Sequence, residues 1–387
     1  MIIKAVQDFI QKNPMDKYVI AYSGGVDSQV LLHAMAQVVP EKIIAFHVNH
    51  GISDNAIEWE NFCKSTAESI GIEFNVAHFE LHGETNLEEK ARVARYGAFQ
   101  SKMNKNSMLL TGHHMNDQVE TFMLNLMRGA GLDGLSAMPS VKSFGMGYHG
   151  RPFLHVTKED IKNYAIKNEL KWVEDESNDD STYDRNFIRN EVMPLIQTRW
   201  KKANESIVQS VEHIQNAKSY IDTKVEEIGM STNTDQLDIK ELLMLNAYEQ
   251  NETVRKWVAF NLKKQASKNM MKSIFEDIIP ASEDAKMKWE QKGYFVTRFN
   301  GKLYFVNKEV KNFDIQEMLD SVKSNLHVND VVVKYGCKGE KIKQGNIHKD
   351  VKKMFQEYKV PTWVREELPY VYHNDELLTV GGYFWKK

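Results

Sequence analysis

Lys17-Tyr18-Val19-Ile20-Ala21-Tyr22-Ser23-Gly24-Gly25-Val26-Asp27-Ser28 decides how the first half of this chain folds. KYVIAY reads as a buried strand, and Val26 to Met35 reads as the helix that leaves it. Two glycines between them permit torsions closed to other residues and let a ligand approach the backbone. Successive amides at a helix N-terminus then form an anion-binding concavity, to which Ser23 and Ser28 add hydroxyl donors. The lysine of a Walker A loop is absent. Asp27 repels phosphate unless a cation lies between them. The simplest such cation is Mg2+, which takes one or two carboxylates together with phosphate oxygens. The plainer alternative is a glycine-rich turn with Asp27 capping the helix.

Outward from this turn, apolar strands alternate with amphipathic helices. Strands are expected at 42–48, 73–77 and 107–111, with helices around Ala56 to Ile70 and from a cap at Asn86 through Phe99. This rhythm predicts an α/β fold, a doubly wound parallel sheet with helices on both faces, whose ligands bind at the carboxyl ends of the strands. Residues 129–155, with six glycines and two prolines, read as one long loop. From about Asn204 polar helices take over, and Asn300-Gly301 stands between alternating runs as a hairpin turn. A second hairpin is expected at Asn374-Asp375. The expected domains are a catalytic one over 1–200, a mainly helical one over 204–310 and a small mixed α+β one over 326–387.

The chain has 387 residues, 42% apolar and 27% charged, which is ordinary globular composition. No apolar run reaches the ~18 residues of a membrane span, and the N-terminus lacks the pattern of a secretory signal. Cys63 and Cys337 form no CxxC and no zinc spacing, so a reduced cytoplasm is the expected location. Net charge is −3, which excludes nucleic-acid binding by bulk charge but not by a local face. Val331 to Arg365 carries nine Lys/Arg against three acids. Such a bias suits either a solvated helix or a nucleic-acid contact.

Two further segments close strands on the same sheet edge as the glycine turn. They are His47-Val48-Asn49-His50-Gly51 and Gly112-His113-His114-Met115-Asn116-Asp117-Gln118-Val119-Glu120-Thr121. Asp117 and Glu120 are three apart, on one helix face. A carboxylate pair near a nucleotide suits a metal or a cationic substrate. The two histidines suit either metal ligation with further ligands or packing at a strand end.

Ser23 to Ser28 resembles the pyrophosphate loop of the N-type ATP pyrophosphatases, enzymes that split ATP into AMP and pyrophosphate while adenylating a substrate. The two histidine segments, with Arg128 to Leu135, Arg151-Pro152-Phe153-Leu154 and Trp172 to Arg189, resemble the tRNA(Ile)-lysidine synthetase family within it. Lys352 to Glu357 and Val360 to Arg365 resemble that family's C-terminal tRNA-binding domain. Ser53 is a departure, because arginine is expected soon after the HVNHG element.

The resemblance implies a ligase that uses ATP and Mg2+ to adenylate C2 of the wobble cytidine of an isoleucine tRNA with a CAU anticodon. The ε-amine of L-lysine then displaces AMP. It implies ATP contacts at Ser23, Gly24, Gly25, Val26, Asp27, Ser28, His50 and His113, with Asp27 as the metal ligand. Asp27, Asp117 and Arg185 become the catalytic residues, and Asp117, Glu120 and Arg189 the lysine site. Arg185 and Arg189 suit either the α-phosphate or the lysine carboxylate. The acids from Glu174 to Asp180 are expected to pair with these arginines in a solvated loop. Lys352, Lys353 and Arg365 become tRNA contacts, and the resemblance is compatible with a homodimer. Two rivals remain. A thiolase on the same scaffold generally needs cysteines close to the site, and Cys63 and Cys337 do not provide them. A non-catalytic RNA-binding protein has no need of the intact loop or of the Asp117/Glu120 pair.

Overall fold

The computed structural model describes residues 1–49, 51, 55–79, 87–174, 182–227, 232–282, 287–308, 315–326, 328, 330–336, 339–365 and 367–386. They fall into two compact units, Met1–Asp222 and Thr223–Lys387.

The first unit runs α1 (Ile2–Lys12), β1 (Lys17–Ala21), α2 (Val26–Val38), β2 (Ile43–Asn49), α3 (Ala56–Ser69), β3 (Glu73–His78), α4 (Leu87–Gln100) and β4 (Ser107–Leu110). It continues through α5 (Met115–Met127), α6 (Leu132–Leu135), β5 (Val141–Phe144), β6 (Gly147–Gly150), α7 (Lys158–Lys167), α8 (Asp184–Phe187), α9 (Met193–Arg199) and α10 (Ala203–Glu227). The sheet order is β3-β2-β1-β4-β6-β5, parallel throughout except for β5 at the edge. Alternation along β1 divides two cores. Tyr18 and Ile20 pack with α1, α2, α3 and α7, whereas Val19 faces Ala98 and Phe99 of α4 on the other side. Both faces of the sheet are therefore covered, and each fully buried aliphatic side chain contributes about 1.5–3 kcal/mol.

Strands at the four expected places form four consecutive members of this sheet, β3-β2-β1-β4, with β3 at its edge. The 129–155 segment is not one loop: it contains α6 and the β5–β6 hairpin. Gly134, Gly147 and Gly150 serve close packing rather than looseness. A Cβ on Gly150 would lie 2.5 Å from Phe9 and 2.6 Å from the Met108 sulfur, so β6 can pair with β4 only if that position is bare.

The second unit holds β7 (Gln236–Asp238), α11 (Ile239–Leu242), α12 (Ala247–Leu262), α13 (Lys268–Ser273), β8 (Lys288–Gln291), β9 (Tyr294–Phe299) and β10 (Lys302–Asn307). Of the polar helices expected from about Asn204, the first is α10 and the later ones are in this unit, with α12 opened by a capping box between Asn246 and Glu249. They pack Trp257, Val258 and Met270 on a four-stranded antiparallel sheet, β7-β10-β9-β8, of which the sequence showed only the centre. Asn300 and Gly301 both have positive φ and turn β9 into β10 as expected.

The chain then forms α14 (Ile315–Leu326), β11 (Val332–Tyr335), the hairpin β12 (Lys341–Gln344) and β13 (Ile347–Asp350), α15 (Val351–Glu357) and α16 (Thr362–Arg365). β14 (Pro369–His373), β15 (Glu376–Val380) and β16 (Phe384–Trp385) complete a second sheet, β11-β14-β15-β16. Asn374 and Asp375, both left-handed, make the second hairpin. No helix among the described residues is long and apolar enough to cross a membrane.

Candidate active site

The order of the parallel strands reverses between β1 and β4, and the helices that leave these two strands, α2 and α5, start side by side at their carboxyl ends. Gly24, at φ +86°, makes the turn into α2. Its carbonyl accepts from Val173 N at 3.0 Å, and a Cβ there would lie 2.9 Å from the Cys63 sulfur. Serines close the loop on itself. Ser28 Oγ accepts from Ser23 N at 3.2 Å and donates to Gly25 O at 3.0 Å, and the two hydroxyls are 3.2 Å apart. Gly112 begins the second turn, and a Cβ on it would meet the Asp27 carbonyl at 2.8 Å. The two turns approach so closely only because this position carries no side chain.

Asp27 has a partner the sequence did not suggest. Lys158, the first residue of α7 after the cap Thr157, donates to both carboxylate oxygens at 2.6 and 2.7 Å. A lysine at a helix N-terminus opposes the macrodipole, and that local conflict was the available signal. Among the described residues no group of three His, Cys, Asp or Glu side chains is arranged to hold a metal. A single carboxylate still suits Mg2+ carried in by phosphates, provided that Lys158 yields one of its oxygens.

Asp117 and Glu120 lie on one face of α5, as their spacing implies, and both meet arginines. Glu120 is 2% exposed, with oxygens that accept from Arg185 Nε at 2.6 Å and from Arg189 Nε and Nη2 at 2.7 and 2.9 Å. Arg185 Nη2 also reaches Asp117 Oδ1 at 3.0 Å. Two acids and two guanidiniums thus form a closed quartet. Both arginines enter this quartet; of the acids expected to pair with them, Glu174 accepts from Trp172 Nε1 at 3.4 Å, and Asp175, Glu176, Asp179 and Asp180 lie outside the described residues. Arg185 stands on α8, and Arg189 on the π-helical turn Ile188–Val192 that follows, a wide turn of a kind frequent at functional sites.

Burial pushes the Asp117 carboxyl up, but His114 and Arg185 beside it hold it below the ordinary carboxylate value. Burial lowers Arg189, but its bonds to Glu120 leave it above its ordinary value. His114 caps α5, with Nε2 3.6 Å from Asp27 and 3.5 Å from Asp117, while its backbone N–H donates to Asp117 at 2.9 Å. His113 is half-buried, and its imidazole is lowered to about 4, chiefly by burial. His50 and Ser53 lie outside the described residues.

The other predicted residues are in the second unit. Lys352 and Lys353 are exposed on α15, whose buried side carries Val351, Met354 and Phe355. Arg365 is half-buried; its Nε donates to Val360 O at 2.8 Å and its guanidinium lies 5.5 Å from the Phe355 ring centre.

Comparison with known proteins bears on this arrangement. A PP-loop domain family matches residues 1–196, and the TilS substrate C-terminal domain family matches residues 331–387. A tRNA(Ile)-lysidine synthase of Legionella pneumophila (strain Lens) is 35% identical over 95% of this chain and 91% of that protein. The chain belongs to the tRNA(Ile)-lysidine synthase family. Family members from Coxiella burnetii (33% identity, 95% of this chain and 88% of that one) and Haemophilus influenzae strain Rd (30%, 99% and 98%) agree along the same length. A solved U34-tRNA thiolase from Methanococcus maripaludis overlaps 55% of this chain and 77% of its own, at 19% identity and TM-score 0.46. Within the family fold Cys63 is a buried packing residue, its thiol pushed up to about 12 by burial, which is opposite to what a sulfur carrier needs.

Proposed function

We propose that this chain ligates L-lysine to C2 of the wobble cytidine in a tRNA(Ile) with a CAU anticodon. In the first step the C2 oxygen attacks the α-phosphorus of ATP, and pyrophosphate leaves as the bond to the β-phosphate oxygen breaks. In the second, the lysine ε-ammonium gives up a proton, the free amine attacks C2, the C2–O bond breaks, AMP departs with that oxygen and the nitrogen loses a second proton. The observation that carries this reading is a serine-closed amide cradle beside a carboxylate–guanidinium quartet, in a chain with full-length kinship to the family.

The amides of Ser23 to Ser28 hold the pyrophosphate portion of ATP, and His50 and His113 contact the same nucleotide. When bound with ATP, Mg2+ would be held by Asp27 and would neutralise charge on the phosphates. Lys158, released from Asp27, offers a second cation to the departing pyrophosphate. Lysine carries two ammonium groups and a carboxylate, the two kinds of charge that the quartet pairs internally. Its entry exchanges partners: ammonium onto Asp117 and Glu120, carboxylate onto Arg189, with Arg185 left for the α-phosphate. Lys352, Lys353 and Arg365 supply charge to the tRNA backbone, and Arg365 also braces the corner from which the two lysines project. The three-domain division, a cytoplasmic location and a homodimer complete the proposal.

The reading is tested by following the two products separately. Pyrophosphate release should require tRNA(Ile) but not lysine, and AMP release should require lysine. Pyrophosphate release that ignores tRNA, or AMP release that ignores lysine, would refute it.

A further inference from the structure

Behind His113 lies a buried chain of polar groups that the two-step chemistry leaves without a role. Arg151 is 5% exposed and His149 is fully buried. Arg151 Nη2 lies 3.3 Å from His149 Nδ1, His149 Nε2 lies 2.9 Å from Thr111 Oγ1, and the same hydroxyl lies 2.6 Å from His113 Nδ1. Arg151 is itself held by Pro139 O, which accepts from its Nη1 at 2.8 Å.

The direction of every hydrogen bond follows from the inventory of donors. Guanidinium nitrogens only donate, so His149 Nδ1 accepts. A neutral His149 then carries its proton on Nε2 and donates to the Thr111 oxygen. The Thr111 hydrogen is left to donate onward, and His113 Nδ1 receives it. Both rings are neutral: burial, reinforced by Arg151, lowers His149 to about 2, and burial lowers His113 to about 4. A neutral His113 that accepts at Nδ1 must hold its own proton on Nε2. That nitrogen has no hydrogen-bond partner among the described residues.

We propose that the Arg151–His149–Thr111 relay locks His113 as its Nε2–H tautomer, so that His113 acts on the reaction as a hydrogen-bond donor to an anionic phosphate oxygen and not as a proton acceptor. Thr111, His149 and Arg151 are positioning residues. A directional chain anchored on a permanent cation sets the tautomer in the way a carboxylate orients a histidine elsewhere, but with the opposite outcome. This inference rests on the ligase reading only for the identity of the phosphate.

The test is imidazole 15N NMR on the full chain labelled at histidine, near neutral pH, with pyrophosphate release measured in parallel. Wild type and Thr111→Ser should show His113 protonated at Nε2 alone. Thr111→Val removes the relay hydroxyl and should move His113 toward a mixture of tautomers. Its tRNA-dependent pyrophosphate release at saturating ATP should fall about tenfold, the worth of one well-placed hydrogen bond, with Thr111→Ser within about twofold of wild type. Should Thr111→Val fail to fold, His149→Gln and His149→Leu give the same contrast, because the glutamine amide can accept from Arg151 and donate to Thr111 while leucine does neither. A wild-type His113 protonated at Nδ1, or a tautomer unmoved by Thr111→Val or His149→Leu, overturns the proposal. A wild type that shows the Nε2–H signature yet turns over no tRNA would refute the ligase reading and the donor role, and leave the relay standing.

Discussion

Glu120→Gln probes the quartet at its most buried member. The substitution keeps the shape of the side chain and one acceptor oxygen, but it removes a charge and turns an amide N–H toward guanidinium donors. Breaking a buried, hydrogen-bonded ion pair typically costs about 3–5 kcal/mol. Here the acid is 2% exposed, but the Arg185 and Arg189 side chains are 39% and 35% exposed, so water recovers part of their lost solvation. The net cost should be about 2 kcal/mol. For a unit of this size that corresponds to a fall of roughly 4–8 °C in the melting of Met1–Asp222, readable by calorimetry. The same variant weakens the proposed ammonium site, so half-maximal AMP release should need at least about tenfold more lysine. Lysine-independent pyrophosphate release should persist. A variant with unchanged melting and unchanged lysine dependence would show that the quartet neither stabilises the unit nor receives the amino acid.

Asp27→Ala should lower tRNA-dependent pyrophosphate release by roughly a hundred- to a thousandfold, the usual effect of removing one charge-stabilising contact, with tRNA affinity nearly intact; near-normal release would contradict its role. Lys352→Ala with Lys353→Ala should reduce the slope of log affinity for tRNA against log salt by roughly 0.7–0.9 per lost phosphate contact, and an unchanged slope would make these lysines a solvated surface. Acid should destabilise the first unit through His149. The unfolded chain takes up a proton below the ordinary value of 6.5 while the folded chain refuses it down to about 2, so stability falls as pH falls. In His149→Gln, urea unfolding between about pH 5.5 and 4 should show a pH dependence shallower by about 1.4 kcal/mol per pH unit, and identical slopes would place the titration elsewhere.

What the sequence made legible was local. Strand, glycine turn and helix around Ser23 to Ser28 are fixed by neighbours in the chain, and so are the two Asn-led hairpins and the shared face of Asp117 and Glu120. What it hid was set by distance. Lys158 reaches Asp27 across 131 residues, and Glu120 meets Arg185 and Arg189 across 65 and 69. No periodicity encodes such partners. The residues were visible in the sequence while this pairing was not. The β5–β6 hairpin was missed for a related reason. Gly147 and Gly150 look like loop punctuation, and only the packing of Gly150 against Phe9 and Met108 shows why a strand needs bare positions there. His149 and Thr111 likewise carry no pattern of their own and gain meaning only where β4 and β6 lie side by side.

The central claim is tested most directly by mass spectrometry of the wobble nucleoside, after tRNA(Ile) has been incubated with this protein, ATP, Mg2+ and isotopically labelled L-lysine. The account predicts that the cytidine gains one labelled lysine less one water, and that omitting ATP abolishes the gain. A wobble cytidine left unchanged, or one whose oxygen has been exchanged for sulfur, would contradict it.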